Sequence, residues 1–170
     1  EAMPGMLTPI LESHSQPGMM YTCFLSRIIC LLILNVAVAV VDKGGFSLGI
    51  RDSIMIAHSF HGEEFGPAQN MHGATYTVDV EFSAPELVKG SNWVIDIGAA
   101  SDMLSEVLAA YNMKNLDELF PDSNTTTEFM CREIHGKLCA RLKKIPFKGG
   151  LRVKLFESHK AWASYYNSVK

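Results

Sequence analysis

The sequence contains 170 residues, a length that favours one compact domain over two. Hydrophobic residues make up 48% of the chain and charged residues 19%, so the composition excludes intrinsic disorder and supplies enough apolar side chains for a core. The formal net charge of −3 lacks the basic excess of nucleic-acid-binding domains, and we therefore expect no nucleic-acid partner.

Residues 1–42 have the composition of a leader. An apolar segment over 28–41 is shorter than the ~20 residues of a membrane span, and the longer segment 19–41 includes Arg27. The segment is consistent with a signal peptide or membrane anchor, with a buried strand, or with leader sequence foreign to the domain. The four cysteines form no CxxC pair, which favours a reducing compartment. We expect a cytoplasmic protein, with anchoring or export through 19–41 as the alternative.

From residue 43 onward the predicted elements follow the order β-β-α-α-β-β. A strand-to-helix transition is predicted over 93–112, with Asp96 or Ser101 as the helix N-cap. Alternating or β-branched and aromatic composition predicts strands over 46–60, 75–82, 151–158 and 161–166. We therefore predict that residues 43–170 form an α+β domain, with a four-stranded antiparallel sheet and two helices on one face.

The second helix has the clearest start signal in the chain. It is predicted to open at Asn124 and Thr125, because the run from Thr125 to Glu128 fits the S/T-x-x-E capping box. Four apolar residues continue it at four-residue spacing: Met130, Ile134, Leu138 and Leu142.

His58, His61 and His72 lie within fifteen positions at the two ends of the predicted first hairpin. Hairpin geometry can bring them together, and a catalytic zinc site uses three protein ligands plus an open position. Ordinary hydrogen-bonding histidines are the alternative.

Five short motifs carry a family resemblance: IMIAHSF, MHGATY, NMKNLDEL, NTTTEF and LFESHKAWASYY. By these motifs and their order, the chain resembles a divergent member of the 6-pyruvoyl tetrahydropterin synthase family from about Gly45 to Val169. The resemblance implies the tunnelling fold, in which sheets join edge to edge into a barrel. The resemblance also implies a homo-oligomer, a trimer or hexamer, with sites between subunits, and the long sheet edges that a lone subunit would leave exposed agree with such an assembly.

The resemblance also implies a zinc site in which His58 and His72 match two ligands. The third family ligand falls on Ala74, which cannot coordinate a metal. His61, His159 or a carboxylate would have to complete the site, and we favour His61 because it lies in a Gly-flanked loop. A site without metal, in which both histidines are only hydrogen-bonded, is the alternative.

The family's catalytic groups are missing at their usual places. The catalytic cysteine would fall near Gly66, and the Asp-His pair falls on Asn112 and Met113, neither of which can act as a carboxylate base or transfer a proton. We therefore predict that the proton-transfer residues are Glu63, Glu64 and His159, of which His159 would share a strand face with Glu157.

Glu157 matches the residue that anchors the pterin, whose guanidine-like edge suits a carboxylate. Thr126, Thr127 and Glu128 match a second group of pterin contacts at a helix start. A solvent-facing strand glutamate and a plain capping box are the alternatives for these positions.

The resemblance implies a lyase that eliminates triphosphate from the pterin 7,8-dihydroneopterin triphosphate with zinc-assisted proton transfer. Two alternatives stay open. One is a non-catalytic pterin-binding or assembly protein, and the other is related pterin chemistry of the carboxy-tetrahydropterin synthase or aldolase type.

Overall fold

The computed structural model describes residues 45–169, and the predicted leader, with its apolar segment 28–41, lies outside the described residues. Within residues 45–169 the chain forms a five-stranded sheet in the order β3-β1-β2-β4-β5. The strands are β1 (Phe46–His58), β2 (His72–Ala84), β3 (Lys114–Asn115), β4 (Gly149–Phe156) and β5 (Trp162–Val169). The helices are α1 (Ile97–Leu108), α2 (Leu116–Leu119) and α3 (Thr127–Leu142), and a 3-10 segment spans Glu63–Gln69. None of these helices is long and apolar enough to cross a membrane.

The predicted α+β class and the antiparallel pairing of the four long strands are confirmed. The sheet gains a fifth strand, β3, because two residues pair in parallel with the end of β1. Asn112 and Met113 bring this segment to β1: the Asn112 side chain accepts a hydrogen bond from the Met55 N–H, and the Met113 N–H donates to the Met55 carbonyl at 2.7 Å. The prediction missed β3 because two residues carry no strand periodicity.

The β1–β2 hairpin aligns the two strands over their full length, from Phe46 opposite Ala84 to His58 opposite His72. Alternate residues of β2 are fully buried: Tyr76, Val78, Val80 and Phe82. Helix α1 packs against β1, and α3 packs against β4 and β5, so the core lies between these helices and one sheet face. The alternation of buried and more exposed residues along β2 is the physical origin of the confirmed hairpin.

Several predicted boundaries shift by a few residues. β1 ends at His58 instead of residue 60, because the Phe60 N–H donates to the Ala68 carbonyl and the chain leaves the sheet. The predicted short strand before α1 does not form, since residues 92–96 are an irregular segment with a bend at Val94 and Ile95. Asp96 is the N-cap of α1, and its carboxylate accepts from the Ala99 N–H at 2.8 Å.

Helix α3 begins one residue later than the capping box predicts. Thr126, not Thr125, is its N-cap, and its hydroxyl accepts from the Phe129 N–H at 3.3 Å. Thr125 is fully buried and contacts His58, so its hydroxyl is not available to cap the helix. The predicted apolar stripe is confirmed, since Met130, Ile134, Leu138 and Leu142 are all fully buried.

Candidate functional site

Three metal-binding side chains meet at one end of the sheet: His58, His72 and Glu157. One donor atom from each residue lies within 4.8 Å of the others. His58 ends β1 and His72 begins β2 directly opposite it, so the hairpin register itself places the two imidazoles side by side, with ring centroids 4.5 Å apart. Glu157 follows the last residue of β4, which pairs with β2. The site is therefore built where three neighbouring strands end.

His58 is fully buried and presents one free ring nitrogen. Its Nδ1 lies 3.2 Å from the Thr125 carbonyl oxygen and 3.2 Å from the Thr125 hydroxyl. A proton on Nδ1 donated to the carbonyl leaves a lone pair on Nε2, and this buried Nε2 has no hydrogen-bond partner among residues 45–169. Burial, with the nearby His72, lowers the pKa of His58 and keeps the imidazole neutral, which is the form that binds a metal.

His72 and Glu157 are half-buried and also have defined hydrogen bonds. His72 Nδ1 lies 2.9 Å from the Asn70 carbonyl oxygen, which leaves its Nε2 available. The Thr127 hydroxyl donates to Glu157 Oε2 at 2.8 Å. All three side chains of the group are thus oriented by a second residue, as ligating side chains in metal sites are.

An aromatic wall borders the two histidines. The Phe60 ring lies 4.7 Å from the His58 ring and 4.9 Å from the Phe65 ring, measured between centroids. Phe65 belongs to the 3-10 segment, so the loop after β1 folds back over the hairpin end. The Tyr76 ring also lies near His58, with centroids 6.1 Å apart, and its buried hydroxyl has no hydrogen-bond partner in the described part of the chain. Burial and the Glu157 charge raise the pKa of Tyr76, so its hydroxyl stays protonated and can donate.

The other predicted metal and proton-transfer residues lie outside this group. His61 is exposed, and its backbone is held by Asn124, whose side chain accepts from the His61 N–H at 2.7 Å and donates to its carbonyl at 2.8 Å. Glu63 and Glu64 are exposed in the first turn of the 3-10 segment, on the same loop as Phe65. The structure therefore places both carboxylates on the loop that borders the histidines.

His159 does not share a strand face with Glu157. β4 ends at Phe156, and both residues lie in the turn that connects β4 with β5. His159 is exposed and lines a surface pocket of about 320 Å³ together with Arg51, Thr75 and Thr77. The predicted strand over 151–158 ends two residues too late. The Glu157 and Ser158 N–H groups donate to the Ala161 carbonyl within the turn, and composition does not indicate this contact.

The predicted pterin contacts lie at the start of α3 beside the histidine pair. Thr126 caps the helix, Thr127 bonds Glu157, and Glu128 is exposed in the first turn. Asn112 and Met113, the positions where the resemblance would place the Asp-His pair, have backbone and side-chain contacts to β1, and Met113 is 69% exposed with φ of 60°.

Sequence reasoning missed the contacts that orient the site. The burial of His58 has a visible signal, since Ile54, Ile56 and His58 alternate on the inner face of β1. By contrast, the Thr125 contact and the approach of Glu157 join segments that are far apart in sequence, and no local pattern indicates them.

An antiparallel sheet with helices on one face, and a histidine pair at the end of its first hairpin, define a domain of the tunnelling-fold class. The chain belongs to the 6-pyruvoyl tetrahydropterin synthase family, whose model matches residues 47–168. No curated protein matches the chain significantly by sequence.

Solved structures share the fold over most of this chain. The Caenorhabditis elegans 6-pyruvoyl tetrahydropterin synthase is 24% identical, with a TM-score of 0.62 over 74% of this chain and 98% of that protein. The Plasmodium vivax enzyme is 15% identical, with a TM-score of 0.62 over 74% and 99% of the two chains. A variant of the P. vivax enzyme, in which a glutamate described as a catalytic residue is replaced by alanine, is 14% identical with a TM-score of 0.59, and the match covers 74% of this chain and 99% of that one.

Proposed function

We propose that the chain is a pterin-pathway lyase resembling 6-pyruvoyl tetrahydropterin synthase, which eliminates triphosphate from 7,8-dihydroneopterin triphosphate. Family membership supports this reaction class, and the observation that carries the proposal is the meeting of His58, His72 and Glu157 at the hairpin end. Zinc fits this site, because His58 offers a buried Nε2 that has no hydrogen-bond partner in the described part of the chain, and the donor set is of the kind that zinc binds. A bound zinc ion would polarise the oxygens of the pterin side chain and so acidify the adjacent C–H bond.

Proton transfer is assigned to Glu63, Glu64 and His159. The two glutamates lie on the loop that borders the histidine pair. Their carboxylates would take over the proton transfer that the family's cysteine and Asp-His pair perform. A catalytic glutamate is also described for the P. vivax relative, which supports a carboxylate in this role. The position of His159 supports this role least of the three, since within its own subunit His159 lines a separate surface pocket.

The pterin is proposed to bind at the start of α3, where Thr126, Thr127 and Glu128 offer hydroxyl, carboxylate and backbone N–H groups. Glu157 is the anchor that the resemblance implies for the pterin ring. The same side chain lies within 4.8 Å of donor atoms of both histidines, so one carboxylate is placed for two tasks.

Assembly into a trimer or hexamer is part of the proposal. β5 is an edge strand of the sheet, and its Trp162 and Tyr166 side chains are more than half exposed. Among residues 45–169, β1 is paired on its outer edge only by the two residues of β3, which leaves most of that edge without a partner strand in this part of the chain. Edges of this length favour pairing with another chain. Sedimentation of the purified protein is expected to show a trimer or hexamer, and a stable monomer would contradict this part of the proposal.

The activity test is incubation of the full chain with 7,8-dihydroneopterin triphosphate. Mass spectrometry is expected to show the 6-pyruvoyl product, with release of inorganic triphosphate. Glu63→Gln and Glu64→Gln are expected to lower kcat, whereas Glu86→Gln, an exposed glutamate in a distant turn, serves as the matched control. Tight pterin binding without any product would refute the lyase and favour a non-catalytic pterin-binding protein. A different pterin product would favour carboxy-tetrahydropterin or aldolase chemistry.

A further inference from the structure

We infer that Glu157 is the third protein ligand of the metal, so that the site is a mixed centre of two histidines and one carboxylate: His58, His72 and Glu157. The inference deepens the proposed function and rests on it for the role of the metal in the reaction. It concerns only this chain's own side chains, and it can be tested by metal binding alone.

The first argument is position. The three side chains offer donor atoms within 4.8 Å of one another, and no other cluster of three or more metal-ligating side chains is found in residues 45–169. Small side-chain rotations can bring such a group to the ~2.0–2.2 Å bonds of a single zinc ion. His61 is not in the group, and its backbone is fixed away from it by two hydrogen bonds to Asn124.

The second argument is the unused nitrogen of His58. Its ring is fully buried, its Nδ1 is engaged by Thr125, and its Nε2 has no partner among the described residues. Leaving a buried polar atom unpaired costs free energy, because its lost hydration is not replaced by another bond. A metal ion bound to Nε2 would remove that cost, which no side chain or backbone group of residues 45–169 removes.

The third argument is that each ligand already has an outer partner. The Thr125 carbonyl faces His58 Nδ1, the Asn70 carbonyl faces His72 Nδ1, and the Thr127 hydroxyl donates to Glu157 Oε2. Such partners fix the tautomer of a ligating histidine and the orientation of a ligating carboxylate. The bond from Thr127 leaves the other oxygen of Glu157 for the metal.

The fourth argument is the strand position of Ala74. It lies two residues after His72, on the same inward face of β2, and its methyl group offers no donor. β4 is hydrogen-bonded to β2, with Phe156 opposite Thr77. Glu157, the next residue after Phe156, therefore enters the same end of the sheet from the neighbouring strand and supplies the donor that β2 lacks.

One consequence follows for the site. A carboxylate ligand cancels one positive charge of the metal, so the centre carries one unit less charge than a centre of three neutral histidines.

The test is a zinc titration of the metal-stripped full chain in competition with a chromophoric chelator. The parent protein is expected to bind one zinc ion per subunit. Glu157→Gln keeps the shape and the Thr127 bond but removes the charge. We expect it to weaken zinc binding by at least about 100-fold, because loss of an outer partner alone costs about 10–100-fold. His61→Ala and the control Glu86→Gln are expected to leave the affinity unchanged. Circular dichroism of each variant checks that it is folded.

Thr127→Ala provides a second variant that leaves all three ligands in place. It is expected to weaken zinc binding by about 10–100-fold through the lost bond to Glu157. In cobalt-substituted protein the visible absorption spectrum is expected to change in Glu157→Gln and not in His61→Ala, because only the former alters the ligand set.

Three results would overturn the inference: no zinc in the parent protein, unchanged affinity in Glu157→Gln, or lost affinity in His61→Ala. The outcomes separate this inference from the proposed function. Zinc held through Glu157 without release of triphosphate would refute the reaction and leave the metal centre standing. Release of triphosphate by a protein whose zinc affinity does not depend on Glu157 would do the reverse.

Discussion

Asp117 is expected to hold the end of β1 in place next to the metal site. Its two carboxylate oxygens accept from the Ser59 N–H at 3.0 and 2.9 Å, and one of them also accepts from the Ser59 hydroxyl at 2.6 Å. Ser59 follows His58 directly, so these bonds fix the backbone that presents the His58 ring. Replacing Asp117 by alanine removes all three bonds at once.

The size of the effect follows from the charge of the acceptor. A hydrogen bond to a charged group contributes about 1.5–3 kcal/mol, and removal of the acceptor leaves the half-buried Ser59 N–H without its partner. Since the three bonds share one carboxylate, they are not additive, and we expect Asp117→Ala to lower the free energy of unfolding by about 2–4 kcal/mol. Asp117→Asn keeps one acceptor oxygen and is expected to lose about half as much.

The assay is urea unfolding followed by circular dichroism, together with hydrogen exchange of the Ser59 amide. Glu118→Ala is the matched control, because Glu118 is the exposed neighbour on the same one-turn helix α2. We expect that control to change the free energy of unfolding by less than about 0.5 kcal/mol. If Asp117→Ala were as mild as the control, and the Ser59 amide stayed protected, the carboxylate would not be what holds the strand end.

Three further predictions concern stability. Leu138 is fully buried where α3 packs on β4 and β5, so Leu138→Ala is expected to cost about 2–5 kcal/mol in urea unfolding, and a loss below about 1 kcal/mol would contradict the packing. Thr126→Ala is expected to cost about 1 kcal/mol through the lost N-cap, with Thr126→Ser close to the parent in the same assay. Burial lowers the pKa of His135 from 6.5, so the unfolded chain binds the proton more readily than the folded one. The stability that His135 contributes is therefore fully present above about pH 6.5 and is lost as the pH falls through its folded-state pKa. His135→Gln is expected to flatten this acid loss in unfolding curves measured between pH 7.5 and 5, and an unchanged slope would refute it.

The sequence by itself determined the class of the fold and the elements with strong periodicity. The alternation of Tyr76, Val78, Val80 and Phe82 allows only a half-buried strand, and the four-residue stripe of α3 allows only a helix with one buried face. Both signals are local, because the period of the backbone decides which side chains share a face. The chemistry of His58 and His72 was visible for a similar reason, since two strands joined as a hairpin place their ends together.

Boundaries and caps depended on contacts that a local pattern does not contain. Thr125 and Thr126 are equally good caps by residue type, and only the burial of Thr125 against His58 moves the helix start to Thr126. β4 stops at Phe156 because the next N–H groups bond the Ala161 carbonyl, which separates Glu157 from His159. The two-residue strand β3 exists only because Asn112 and Met113 bond Met55.

The third member of the metal-binding group was decided by tertiary structure alone. Glu157 and His72 are 85 positions apart in the chain, and no spacing rule connects them. They meet because β4 is hydrogen-bonded to β2, so the end of one strand lies beside the start of the other. A loop histidine close in sequence, His61, was the natural expectation, since short chain separations cost little entropy to close. The sheet removes that advantage, because once its strands are paired the distance between two side chains depends on register and strand order rather than on the number of residues between them.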